Sequence, residues 1–192
     1  PSAGLFFTLD GGMRFLADLH VHSPFSLATS KEMTFDTVAA WAKIKGLALV
    51  GTGDFTHPEW SRRIRRELQP AGNGFFRLKK TKPPAGGLPG GFKPDPDDVH
   101  FILSAELSLI YSQGSRVRKI HLVVLAPGLA AVERLNRRLD RIGNIRSDGR
   151  PILGLDAASF CQIAADIDSG CLVIPAHVWT PWFSLFGSRS GF

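Results

Sequence analysis

A chain of 192 residues, 44% hydrophobic and 21% charged, is long enough for one soluble domain with its own core. No apolar run reaches the roughly 18 residues of a membrane span, and no basic segment precedes the apolar residues at the start, so neither membrane contact nor a signal peptide is expected and a cytoplasmic location is. Lys and Arg outnumber Asp and Glu by 23 to 17, a net charge of +6 that biases the surface toward polyanions.

Met13 reads as a natural start, with residues 1–12 an extension or tag. FLADLH (15–20) reads as the first strand. TFDTVAAWAKIKG then has helical spacing, with Thr34 as N-cap and Gly46 just past the end. LALVGT (47–52) is a short buried strand. Thr56 and Glu59 form a capping box with Pro58 in the first turn, opening a helix through Leu68. Residues 70–98 are rich in Gly and Pro and predict a surface excursion, with a turn at Asn73-Gly74 and a short strand at FFRL. HFILSAE (100–106) is a strand that LSLIYS prolongs, and RKIHLVVLA (118–126) follows the QGS turn. A helix covers about 129–141, Asp156 caps another to about Ile167, and CLVIPAH (171–177) is a further strand. The alternation of strands and helices predicts an α/β fold with a parallel sheet or barrel. Cys161 and Cys171 read as buried, reduced thiols, and without a CxxC pair they make no thiolate zinc site.

The chemistry-bearing residues fall where these strands end. His20 and His22 form H-x-H after the first strand. Asp54 and His57 follow the second, Glu106 ends the next, His121 lies in the one after it, and His177 ends the last. In a β/α barrel the strand C-termini share one face, where active sites are built. His100, at the opposite end of its strand, reads as structural. Each residue alone has an ordinary reading: a histidine satisfied by a neighbour, or a glutamate hydrogen-bonded to a loop. Jointly they do not, because several imidazoles and two carboxylates buried together are costly without a cation. Imidazole suits zinc, manganese and iron, and paired ions can activate a water and hold phosphoryl oxygens. G-x-S-x-G, G-x-x-x-x-G-K-[ST] and G-x-G-x-x-G are all absent.

DLHVHSPFS, with Asp18, His20 and His22, resembles the first motif of the polymerase and histidinol phosphatase (PHP) superfamily. ATSKEMTFDTVAAWAKIKGL, GTGDFTHPEW, SDGRPILGLDA and PAHVWTPWFSLFGSRSGF narrow the resemblance to the endonuclease Q family, over Met13 to Phe192. That resemblance implies a distorted (β/α)7 barrel with up to three metals, here truncated at the C-terminal end. It also implies cleavage of DNA on the 5′ side of deaminated bases (hypoxanthine, uracil, xanthine) or abasic sites. It makes His20, His22, Glu106, His121 and His177 metal ligands, with Glu106 bridging. The superfamily's second motif is usually Thr-Asp-His, whereas Thr52-Gly53-Asp54 stands here. Either Asp54 replaces the histidine ligand, or His57 is the ligand or faces the phosphate. Glu106, Asp54 and His57 are thus the candidate catalytic residues. Zinc is the implied metal, with magnesium or manganese as alternatives. Two departures stand out. PFSLATS follows H-x-H where many members carry an acidic residue or histidine, and the late Asp-x-His pair and C-terminal zinc region have no match in residues 13–192. On this reading the chain is a partial PHP domain with its last barrel units missing.

Damaged double- or single-stranded DNA is the implied partner, and replication or repair protein partners are left unassigned. Arg146, Arg150 and Arg189 are candidate phosphate contacts, and Trp179 and Trp182 are either barrel-top packing or a surface for a base. Two other functions compete: a phosphomonoesterase acting on a small ester, and a DNA-binding module without activity. The basic helices favour DNA over a small ester, and the full set of ligand-type residues argues against an inert module.

Overall fold

In the computed structural model, which describes residues 5–9, 13–27, 29–80, 95, 97 and 99–192, nine strands and four helices are seen. The first half contains β1 (Leu5–Leu9), β2 (Met13–Asp18), α1 (Phe35–Ile44), β3 (Leu47–Gly51), α2 (Pro58–Glu67), β4 (Leu68–Gly72) and β5 (Phe75–Leu78). The second half contains β6 (His100–Gln113), β7 (Arg116–Ala126), α3 (Leu129–Leu139), β8 (Ile152–Leu153), α4 (Ala157–Ile167) and β9 (Leu172–Pro175). No helix among the described residues is long and apolar enough to cross a membrane.

Local signals place most of these elements. Thr34 caps α1 by accepting from the Thr37 N–H, and Gly46 adopts φ +72 just beyond it. Asp156 caps α4 by accepting from Ser159. α2 differs from expectation. His57, not Thr56, is its N-cap and makes no side-chain capping bond, because the Thr56 hydroxyl donates instead to the Gly149 carbonyl at 3.2 Å. Residues 5–9, read as part of an extension, form a strand antiparallel to β2. FFRL is β5, paired with the unforeseen β4. Most of the expected surface excursion lies outside the described residues. Both cysteines are free, and Cys161 is exposed rather than buried.

The expected parallel barrel gives way to one open, mixed sheet. β2, β3 and β6 run parallel, as do β6 and β8, but β1, β5 and β7 each pair antiparallel with a neighbour, and β9 runs antiparallel to β7. The reason is local. Only Gly114 and Ser115 separate β6 from β7, a connection too short for the crossover that parallel strands require. Among the described residues the sheet does not close on itself.

The helices cover one face of the sheet. Phe35 and Ala39 of α1, Trp60 and Ile64 of α2, Val132, Leu135 and Leu139 of α3, and Phe160 and Ala164 of α4 are buried at three- and four-residue spacing. They share one core with Phe101, Leu103, Leu107 and Leu109 of β6. Trp60 stacks on Phe35 at 4.4 Å and donates its indole N–H to the Thr52 carbonyl at 2.9 Å, tying α2 to the turn after β3. On the other face Val123, Leu125 and Ala176 form a smaller cluster with Leu19, Ile102 and Ile174, beside an apolar cavity of about 550 Å³.

One irregularity of the sheet lies beside the site. β3 follows the edge of β6 only to Ile102, and β8 joins that edge only at Ser108. Between them lie Ser104 and Glu106. Ser104 Oγ accepts the Gly53 N–H at 2.9 Å, and the Ser104 carbonyl accepts that of Phe55 at 3.3 Å. Gly53 (φ +63) has Val21 O within 2.5 Å of where a Cβ would stand, so the turn needs glycine for both its backbone angle and its space.

Candidate metal centre

Glu106 is the centre of the site. It lies mid-strand in β6, not at a strand end as expected, and is 2% exposed. Its side chain projects from the same face of β6 as those of Ser104 and Ser108. His20 and His22 arrive from the segment after β2, and, two residues apart in extended chain, they reach the same carboxylate. His121 comes from the interior of β7, and His177 from the residue pair after β9, where it adopts φ +29.

Four imidazoles converge on this one carboxylate. Glu106 Oε1 lies 3.2 Å from His20 Nε2, 3.0 Å from His121 Nδ1 and 3.2 Å from His177 Nε2. Glu106 Oε2 lies 3.1 Å from His22 Nε2 and 3.2 Å from Arg150 Nη1. Burial pushes the Glu106 carboxyl upward, but hydrogen bonds from His121, His177, His20 and His22 outweigh it and hold the group far below the usual carboxylate range. Burial presses His22 downward, yet Asp54 and then Glu106 raise it to about 9. His121 is held low, chiefly by burial.

Three of the histidines are fixed from behind through the other ring nitrogen. His22 Nδ1 meets Asp54 Oδ1 at 2.9 Å, His121 Nε2 meets Ser108 Oγ at 3.1 Å, and His177 Nδ1 meets Thr180 Oγ1 at 3.0 Å. Backing of this kind orients an imidazole and selects which nitrogen faces a cation.

The donor set suits a cation. His20, His22 and Glu106 form one group whose ligand atoms lie within 4.8 Å of one another, and Glu106, His121 and His177 form a second. Three ring nitrogens crowd Oε1, which has only two lone pairs to offer as hydrogen-bond acceptor. His121 Nδ1 and His177 Nε2 also face each other at 3.2 Å. A divalent ion among these atoms would satisfy them together, and mixed imidazole and carboxylate donors suit a transition-metal ion.

The other expected site residues make separate contacts. Asp54 belongs to neither group, and its contacts are with His22, Ser23 and Ser26. His57 also lies outside both. Its ring stacks on Phe25 at 4.3 Å, Nε2 meets the Arg146 carbonyl at 3.1 Å, and burial lowers its pKa. Arg146 pairs with Asp140 on the surface. Trp179 and Trp182 are 77% and 52% exposed, so they are not core packing. Trp179 lies 5.0 Å from Phe186, and Lys119 sits over Trp182 at 5.6 Å. Arg189 is exposed in the same C-terminal segment. This segment is anchored to β7 by His121 N–H to Phe183 O and Lys119 N–H to Ser190 O, at 3.0 and 3.1 Å. His100 opens β6, with its ring near Phe75.

Sequence reasoning gave no role to Ser23 and Ser26, which lie near the histidines, and did not single out Ser104, Ser108 or Gly149. The signal for two of them was legible: Ser104 and Ser108 alternate with Glu106 along one strand and therefore share its face. The other three contact Asp54 from loops, where no periodicity announces them.

Fold and site together define a mixed α/β protein with a histidine–carboxylate centre suited to divalent cations. No protein-family model matches the chain. Uncharacterized protein MJ0043 of Methanocaldococcus jannaschii is 29% identical over 165 residues, covering 85% of this chain and 16% of that protein. Uncharacterized protein YqxK of Bacillus subtilis is 29% identical over 185 residues, covering 91% and 43%. Among solved structures, the lesion-specific endonuclease PfuEndoQ from Pyrococcus furiosus is similar, with 35% identity and a TM-score of 0.68 over 88% of this chain and 36% of that one. Endonuclease Q in complex with a 27-mer duplex bearing an abasic lesion at the active site matches equally well. The chain thus spans less than half the length of each relative it matches.

Proposed function

We propose that this chain provides the metal centre of a DNA repair endonuclease, which cleaves the phosphodiester on the 5′ side of a deaminated base or an abasic site. The observation that carries the reading is the convergence of His20, His22, His121 and His177 on buried Glu106. The likeness to a lesion-specific endonuclease supports the choice of substrate.

His20, His22 and Glu106 would hold one ion and Glu106, His121 and His177 another, with zinc preferred and magnesium or manganese as alternatives. Such ions supply Lewis acidity, an activated water and neutralisation of phosphoryl charge. The chain's own residues do the rest. Glu106 is common to the two groups. Arg150, half-exposed beside Glu106 Oε2, presents a fixed positive charge to a phosphate entering there. Asp54 stands behind His22, and His57 packs on Phe25 beside the Arg146 carbonyl. Trp179 and Trp182 offer exposed indoles beside His177, on which an unstacked base can rest, and Arg146 and Arg189 lend charge for the backbone.

The test is a nicking assay on the natural gene product, with end-labelled duplexes containing one deoxyinosine, one uracil, one abasic site or no lesion. A single nick 5′ to each lesion is expected, abolished by chelator, restored by added metal and falling steeply with salt through counterion release. Equal cutting of damaged and undamaged duplex would remove the lesion preference and leave a metal-dependent nuclease. Hydrolysis of small phosphate esters with DNA untouched would replace the reading with a phosphomonoesterase.

A further inference from the structure

We infer that Asp54 is a positioning residue for His22 and not a metal ligand: its carboxylate holds the His22 Nδ1 proton, so that Nε2 presents its lone pair to a cation. The inference rests on the metal reading of the site given above.

The first observation is that both oxygens of Asp54 are already engaged, Oδ2 by three donors and Oδ1 by His22. A carboxylate offers about four lone-pair sites. His22 Nδ1 takes one on Oδ1 at 2.9 Å. On Oδ2 the Ser23 N–H donates at 2.6 Å, the Ser23 hydroxyl at 2.7 Å and the Ser26 hydroxyl at 2.8 Å. The residue is fully buried, so water does not compete for these positions.

The second observation is that the carboxylate is boxed in from a distant part of the chain. A Cβ on Gly149 would stand 2.3 Å from Asp54 Oδ2 and 2.5 Å from Ser26 Oγ. Gly149 is locked there by its N–H to the Phe25 carbonyl at 3.0 Å and by its own carbonyl, which accepts from Thr56 at 3.2 Å. The absence of a side chain at 149 is what lets the carboxylate lie against that loop.

The third is that Asp54 adopts φ +45, the left-handed region that non-glycine residues rarely enter. The surrounding bonds hold it there, with its carboxylate behind His22. Ser23, directly after H-x-H, and Ser26, within PFSLATS, stand as supports for Asp54 in the stretch where an acidic residue or histidine was looked for.

Carboxylates that back a metal-bound histidine typically change metal affinity 10–100-fold when removed, without changing the ligand count. The test titrates zinc into the metal-free wild-type chain and into Asp54→Asn, His22→Ala and Gly149→Ala variants, with zinc per chain measured at saturation. Histidine-ring nitrogen NMR of the zinc-loaded wild type accompanies it. The expected result for Asp54→Asn is unchanged zinc per chain at saturation with an affinity on the order of 10–100-fold weaker. Gly149→Ala, which alters no candidate ligand, should weaken zinc in the same direction by crowding Asp54. In the NMR spectrum His22 should carry its proton on Nδ1. Loss of one zinc per chain in Asp54→Asn, as in His22→Ala, would make Asp54 a ligand and overturn the inference, as would an unchanged affinity. Should Asp54→Asn fail to fold, a His22 Nδ1 without a proton in the zinc-loaded wild type overturns it unaided. A wild-type chain that takes up no zinc overturns the metal reading itself, a result distinct from all of these.

Discussion

His121 Nδ1 and His177 Nε2 face each other across 3.2 Å, and each lies within 3.2 Å of the same Glu106 oxygen. One residue comes from the middle of β7 and the other from just past β9, so only the pairing of those two strands brings the rings together. Their outer nitrogens are already engaged by Ser108 and Thr180, which leaves the inner pair to a shared partner.

Removing one side of the cluster should therefore remove one ion and spare the other. The His20→Ala/His22→Ala double variant is expected to lose the ion of that group and to keep the one held by Glu106, His121 and His177. Elemental analysis after dialysis reads the difference, and metal content equal to wild type would sink the assignment. Glu106→Gln, which touches both groups, should release both ions.

Proton linkage at His22 gives a pH dependence with a definite sign. Its pKa is raised from 6.5 to about 9 in the folded, metal-free chain. The folded state therefore binds this proton more tightly than the unfolded state. The resulting stability is complete below pH 6.5 and is lost as pH rises through about 9. A cation needs the same nitrogen unprotonated, so zinc affinity should rise over that window. Melting temperatures of chelator-treated chain, with and without zinc, test both trends. A chelated chain that becomes more stable between those pH values would contradict the linkage.

Gly53→Ala should destabilise the chain by roughly 1–3 kcal/mol or more, the cost of a strained backbone angle plus a collision. Its φ is +63, and the new Cβ would lie 2.5 Å from the Val21 carbonyl oxygen. Gly46→Ala shares the positive φ (+72) but meets nothing within 4 Å, so it should cost only the conformational part, about 1–2 kcal/mol. Denaturant melts of the two variants compare directly, and equal losses would show that the close approach at Gly53 does not matter.

Trp179→Ala should leave stability unchanged, because the indole is 77% exposed. Its effect should appear in DNA binding, where stacking of one base on an aromatic ring is worth about 1–3 kcal/mol. Fluorescence anisotropy with a lesion-bearing duplex would show roughly a 5- to 150-fold loss by that measure. Wild-type affinity in the variant would return Trp179 to the role of an idle surface residue.

Much of the local structure was legible in the sequence because its causes are local. Thr34 and Asp156 cap their helices with their own side chains, β6 and β7 show as apolar runs around a Gly114 turn, and H-x-H in extended chain puts His20 and His22 on one side. The six residues named as metal ligands also all lie within one cluster or directly behind it. What the sequence could not decide is how these pieces meet. The short β6–β7 turn makes that pair antiparallel, so the strands form an open mixed sheet, and Glu106 reaches the site from mid-strand rather than from a strand end. Asp54 reads as a candidate ligand because Thr52-Gly53-Asp54 stands where the resembled second motif has Thr-Asp-His. Its partners stand 28 to 32 residues away in Ser26, Ser23 and His22, and Gly149 closes on it from 95 residues further along. Hydrogen bonds between such distant residues depend on where the chain returns in space, and no spacing in the sequence encodes that return.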